Sequence, residues 1–74
     1  MSHLPSVTAR EVVAVLLKVG FKERNARGSH RRFTHSVTKR VTLVAMHSGD
    51  LDRGLLKEIL KQVGLTAQDF LKLL

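Results

Sequence analysis

A chain of 74 residues without cysteine has room for one small apolar core, and it excludes disulfides and thiolate metal ligation as sources of stability. Thirteen Lys+Arg against six Asp+Glu leave a net charge of +7, which favours a polyanionic partner, most commonly nucleic acid. No apolar run approaches the roughly 20 residues of a bilayer span, and "MSHLPSV" lacks the basic-then-apolar order of a secretory leader, so a soluble, cytoplasmic, single domain over residues 1–74 is expected.

The first element is announced by "VTAREVV". Thr8 and Glu11 have the spacing of a capping box, and Val7 and Val12 that of a hydrophobic staple, so a helix should start at Thr8. Ala9, Val12, Val13, Leu16 and Val19 repeat at helical spacing. Gly20 suits a left-handed residue after the helix end, with Phe21 folding back on Leu16. The pattern then shortens into three β-type segments, "FKERNA", "HRRFTHS" and "RVTLVAM", separated by "RGS" and "VTK". They read as an antiparallel meander.

After "SGDLDRG" the helical spacing returns with Leu55, Leu56, Ile59, Leu60 and Val63, and Gly64 ends it. Asp50 and Asp52 are candidate caps for this helix. Thr66 and Asp69 repeat the capping-box spacing with Asp in place of Glu, and Leu65 and Phe70 repeat the staple, so a short last helix should follow. The predicted class is α+β, with helices on one face of the sheet and the other face open. If Phe33 points into the core, Arg31 and His35 share its side while His30, Arg32 and Thr34 face outward, unless a bulge after Gly28 breaks the register.

The basic residues crowd from Lys18 to Arg40, with Glu23 the one acid among them. Within that stretch "RGSHRRFTH" places His30 directly after Gly28 and Ser29 and between Arg27, Arg31 and Arg32. An imidazole can take and give a proton near neutrality, and arginines beside it can hold a phosphate. RNA carries its own nucleophile, so removing the 2′-OH proton permits strand scission without a metal if charge on phosphorus is stabilised. Gly28 would let backbone approach a phosphate, and Ser29 would orient a phosphate oxygen or the ring. The same triplet also fits an ordinary turn histidine on a solvated hairpin.

Three phenylalanines, 21, 33 and 70, sit in apolar surroundings, so recognition by backbone and shape is expected rather than base stacking. Lys39 and Arg40 are further candidate phosphate contacts. His47 is either a loop histidine or a donor to phosphate, and His35 a partly buried structural residue. A metal site built from His30, His35, His47 and Asp50 lacks the spacing of known zinc sites, so no metal or cofactor is expected. The "KQVGLTAQDF" region could pass for a helix-turn-helix, but its second helix starts without positive charge, and capping explains Thr66 and Asp69 better.

Taken in order, "LPSVTAREVVAVLLKVGF", "RGSHRRFTH", "VAMH" and "GLLKEILKQVGLTAQDFLKLL" resemble the HicA (YcfA-like) toxins of toxin–antitoxin pairs over nearly the whole chain. The resemblance implies a double-stranded-RNA-binding-domain-like fold, ordered α-β-β-β-α with an extra short C-terminal helix, and a metal-independent mRNA endoribonuclease. It places the catalytic histidine at His30, the preceding glycine and serine at Gly28 and Ser29, and a second histidine at His47. Ala45 departs from the pattern, since many members have proline two residues before that histidine. A HicB-like antitoxin that covers the active face is the implied partner. A non-catalytic RNA-binding module of the same fold is the alternative.

Overall fold

The computed structural model describes residues 4–74, with the backbone alone described at residues 25–27. Helix α1 (Ala9–Lys18) begins where the local chemistry requires. Thr8 is the N-cap, its hydroxyl accepting from the Glu11 N–H at 3.2 Å while the Glu11 carboxylate accepts from the Thr8 N–H at 2.9 Å. These reciprocal bonds satisfy donors that the first turn leaves without partners. Its inner face buries Ala9, Val12, Val15 and Leu16, and the chain leaves it at Gly20 with φ +100°.

Strands β1 (Phe21–Arg27), β2 (His30–His35) and β3 (Val41–Ala45) form an antiparallel sheet in the order β1-β2-β3. The first strand runs to Arg27, one residue beyond the apolar–charged segment that marks it in the sequence. Pairing of Arg24 with Arg32 and of Arg27 with His30 leaves one extra residue on β1 between them. The bulge therefore precedes Gly28 rather than following it, and β2 keeps its alternation. Gly28 has φ +56° and Ser29 does not share the positive sign, which is the φ pattern of a II′ hairpin turn.

Helices α2 (Arg53–Val63) and α3 (Ala67–Leu73) complete the order. Asp52 caps α2, accepting from the Leu55 N–H at 3.2 Å. Asp50 does not cap it; its backbone bridges Thr8 instead, beside a Leu51 N–H to Val7 carbonyl bond of 2.7 Å. Thr66 and Asp69 form the capping box of α3. Helices α1 and α2 pack on the sheet face that carries Phe33 and Val44, α3 packs against both of them, and Val12, Leu16, Leu56 and Phe70 join the same core. Thr42 is buried in this face, its hydroxyl donating to Gln62 Oε1 at 2.6 Å, so α2 is tied to β3 without an orphaned polar group. The molecule is an α+β double-stranded-RNA-binding-domain-like fold with one additional helix.

Candidate nucleic-acid interface

Strand parity decides what the open face carries. Phe33 is fully buried, so His30, Arg32 and Thr34 project away from the helices, and all three are exposed or half-buried. Across the sheet Arg24 stands opposite Arg32, and Lys22 opposite Thr34. Like charges directly opposed on a sheet destabilise it. Among the described residues no carboxylate lies within ion-pair distance of Lys22, Arg24 or Arg32. The open face thus holds three concentrated, uncompensated cations on the same side as the imidazole.

The other half of that face is apolar. Leu43 is 56% exposed, Leu55 52% and Val41 39%. They border a groove of about 420 Å³ between β3 and α2, with His30 and Ala45 among its lining residues. His30 therefore lies where a cationic strip meets an apolar groove, next to the Gly28–Ser29 turn. The Met46 N–H donates to the Ser29 carbonyl at 2.6 Å and holds that turn against the end of β3.

The remaining candidates divide. Arg31 points to the helical side and approaches Glu23 at 3.5 Å. His47 stands near Arg31 on that side, not beside His30. Lys39, with φ +65°, and Arg40 lie in the β2–β3 turn, at the far end of β2 and about 17 Å from His30 at ~3.3 Å per residue. The Arg40 guanidinium donates to the Gln62 carbonyl at 3.3 Å and covers Gly64, where a Cβ would come within 3.0 Å of it. It is used to close the C-terminus of α2, as cations at helix ends commonly are. The side chain of Arg27 lies outside the described residues.

His35 is engaged by the fold. Its Nδ1 accepts from the Val37 and Thr38 N–H groups at 3.1 and 3.2 Å, which leaves Nε2 to donate to the Val19 carbonyl at 3.0 Å. Its ring meets Phe21 edge-on at 5.0 Å. Among the described residues no three His, Cys, Asp or Glu side chains converge as a metal site, and no helix is long and apolar enough to cross a membrane. Sequence reading had not assigned Lys22 and Arg24 to the site. Their signal is the alternation in "FKER", where Phe21 and Glu23 share one face and the two cations the other.

A family model described as the HicA toxin of bacterial toxin-antitoxin matches residues 9–65, from the start of α1 to just beyond α2. A search of curated proteins gives no match.

Proposed function

The chain belongs to the HicA family of bacterial toxin–antitoxin toxins, and we propose that it is a metal-independent endoribonuclease that cuts mRNA with His30 as its acid–base group. The observation that carries this reading is the exposed imidazole on the same open face as Arg32, Arg24 and Lys22, with no carboxylate among the described residues pairing those cations. Phosphates would lie along the cations and a ribose at His30. The imidazole takes the 2′-OH proton, the freed oxygen attacks phosphorus, and the bond to the 5′ oxygen breaks. The departing oxygen receives a proton from the imidazolium, directly or through water. A 2′,3′-cyclic phosphate and a 5′-OH remain. Arg32, Arg24 and the Gly28–Ser29 turn would stabilise charge on the phosphorane.

Toxins of this family pair with an antitoxin. The exposed Val41, Leu43 and Leu55 beside His30 would suit a HicB-like antitoxin that shields the imidazole, since apolar surface flanked by charge is typical of a protein contact. The cytoplasm, where mRNA and antitoxin meet, is the compartment this function requires. One observation favours a second reading, an RNA-binding module that does not cut: His47 is on the opposite side from His30, so among the described residues the ring has no histidine partner there. Incubation of purified protein with mRNA in EDTA separates the two. The nuclease yields ends with 2′,3′-cyclic phosphate, and His30→Ala abolishes them while most RNA affinity remains. Intact RNA after prolonged incubation with folded protein would leave the binding module.

A further inference from the structure

The two arginines that follow His30 part at the sheet. Arg32 stays on the open face, whereas Arg31 turns to the helical side and meets Arg10 from the first turn of α1 and His47 from the segment after β3. They surround a pocket of about 480 Å³ that Thr8, Ser48 and Gly49 also line, and among the described residues no carboxylate lines it. Glu23 touches Arg31 only at 3.5 Å, with the two side chains 39% and 44% exposed, a contact too long and too wet to neutralise the guanidinium. Glu11 is turned back onto Thr8. Ala9 and Arg10 begin α1, so their N–H groups lack intrahelical acceptors and the positive helix end reinforces the cations. The loop that carries His47 and Ser48 is held against this end by the Leu51 to Val7 bond of 2.7 Å.

We propose that this pocket binds a phosphate of the same RNA strand whose ribose lies at His30, so that the strand bends round the end of the sheet and the substrate is single-stranded RNA. The inference rests on the RNA reading of the His30 face. His30 and Arg31 are consecutive in a strand, so their side chains leave opposite faces. The two sites are therefore separated by little more than the thickness of one sheet, with the Gly28–Ser29 turn and Met46 between them. A flexible single strand can follow that path. A duplex is stiff over tens of base pairs and meets one face only. Duplex-binding domains of related shape read two grooves of an A-form helix, a mode that leaves no use for cations on both sides of one sheet end.

The test compares wild-type protein with the Arg10→Gln/Arg31→Gln double variant on a dinucleotide, a single-stranded decanucleotide, and the same decanucleotide annealed to its complement. Wild type should gain about tenfold or more in kcat/KM from dinucleotide to decanucleotide, mainly through KM. The double variant should lose most of that gain, and the duplex should be cut more slowly than the single strand. Equal gains in the two proteins, or a duplex cut as fast as the single strand, overturn the proposal. A binding arm uses the uncleavable 2′-O-methyl decanucleotide. The salt dependence of its affinity should fall by about 0.7 in log–log slope for each arginine removed, and an unchanged slope overturns the subsite. Wild-type protein that cuts none of the RNAs but shows the slope change overturns the nuclease reading and upholds the subsite.

Discussion

Strand β2 has a histidine at each end, and the two have opposite fates. His30 is exposed on the open face, next to a groove and a strip of cations. His35 is half-buried, with both ring nitrogens occupied by backbone groups and Phe21 against its edge. They lie five positions apart along an alternating backbone, an odd number, so they must leave opposite faces. Turn chemistry completes the contrast. The Ser36–Lys39 loop folds two N–H groups back onto His35, while the tight Gly28–Ser29 turn directs none of its described hydrogen bonds to the His30 ring. Residue type does not separate an exposed imidazole from a structural one here; strand parity and the neighbouring loop do.

The largest expected effect lies at the free ring. His30→Ala should lower RNA cleavage by about 10²- to 10⁴-fold, the usual worth of acid–base help, and shift stability by no more than about 0.5 kcal/mol, as for an exposed side chain. Cleavage rates and a thermal melt check both halves. A loss of stability as large as the loss of activity would erase the contrast. His35→Ala should do the reverse. Removing the acceptor of two N–H groups, the donor to Val19 and the edge contact with Phe21 should cost about 2 kcal/mol, or about 10 °C in Tm for a domain of this size. Cleavage per folded molecule should remain. If the melt is unchanged, the ring's hydrogen bonds are not structural.

Much of this was legible in the sequence, for reasons that are local. Thr8, Glu11, Thr66, Asp69 and Gly64 act within a turn of their own positions, so the helix ends could be read from spacing. The outward placement of His30 followed from one anchor, Phe33, because the bulge fell on β1 and spared β2. What was not legible depended on partners far along the chain. That Arg24 opposes Arg32 requires the register across a bulged hairpin. That Arg31 and His47 share a pocket requires the loop after β3 to be pinned to Val7. Arg40 looked like one more cation in a basic run until the C-terminus of α2 arrived beneath it. Charge density marked where the cations crowd, but only the pairing of strands sorted them by face.

Two glycines sharpen the comparison at smaller cost. Gly20 and Gly28 both have positive φ, at +100° and +56°. A Cβ on Gly20 would come within 2.9 Å of His35 Nε2, whereas a Cβ on Gly28 would meet nothing within 4 Å. Gly20→Ala should therefore cost about 1–2 kcal/mol and Gly28→Ala about 1 kcal/mol, the latter from backbone strain alone. The informative quantity is coupling. Gly20→Ala should cost less in a His35→Ala background, by about 0.5 kcal/mol or more, since the clash is gone. Gly28→Ala should add to His30→Ala without coupling. A double-mutant cycle from thermal or urea melts reads both terms, and equal coupling at the two ends would contradict the difference drawn between the rings.

The mildest expected effect lies in α3, beyond the span of the family match, and it should pass both histidines by. Asp69 accepts hydrogen bonds from the Thr66 hydroxyl and backbone N–H, with the Lys72 charge nearby, and these hold its carboxyl below the usual 3.8. A carboxyl whose folded pKa is depressed stabilises the fold fully above its unfolded value and loses that contribution as pH falls through the folded pKa. The cap should therefore hold throughout the neutral range and loosen only below about pH 4. Amide chemical shifts of residues 66–73 followed through an acid titration should move together in that window. In Asp69→Asn the shared movement should vanish, because the amide carries no titrating charge. Its persistence in that variant would place the acid sensitivity of α3 elsewhere.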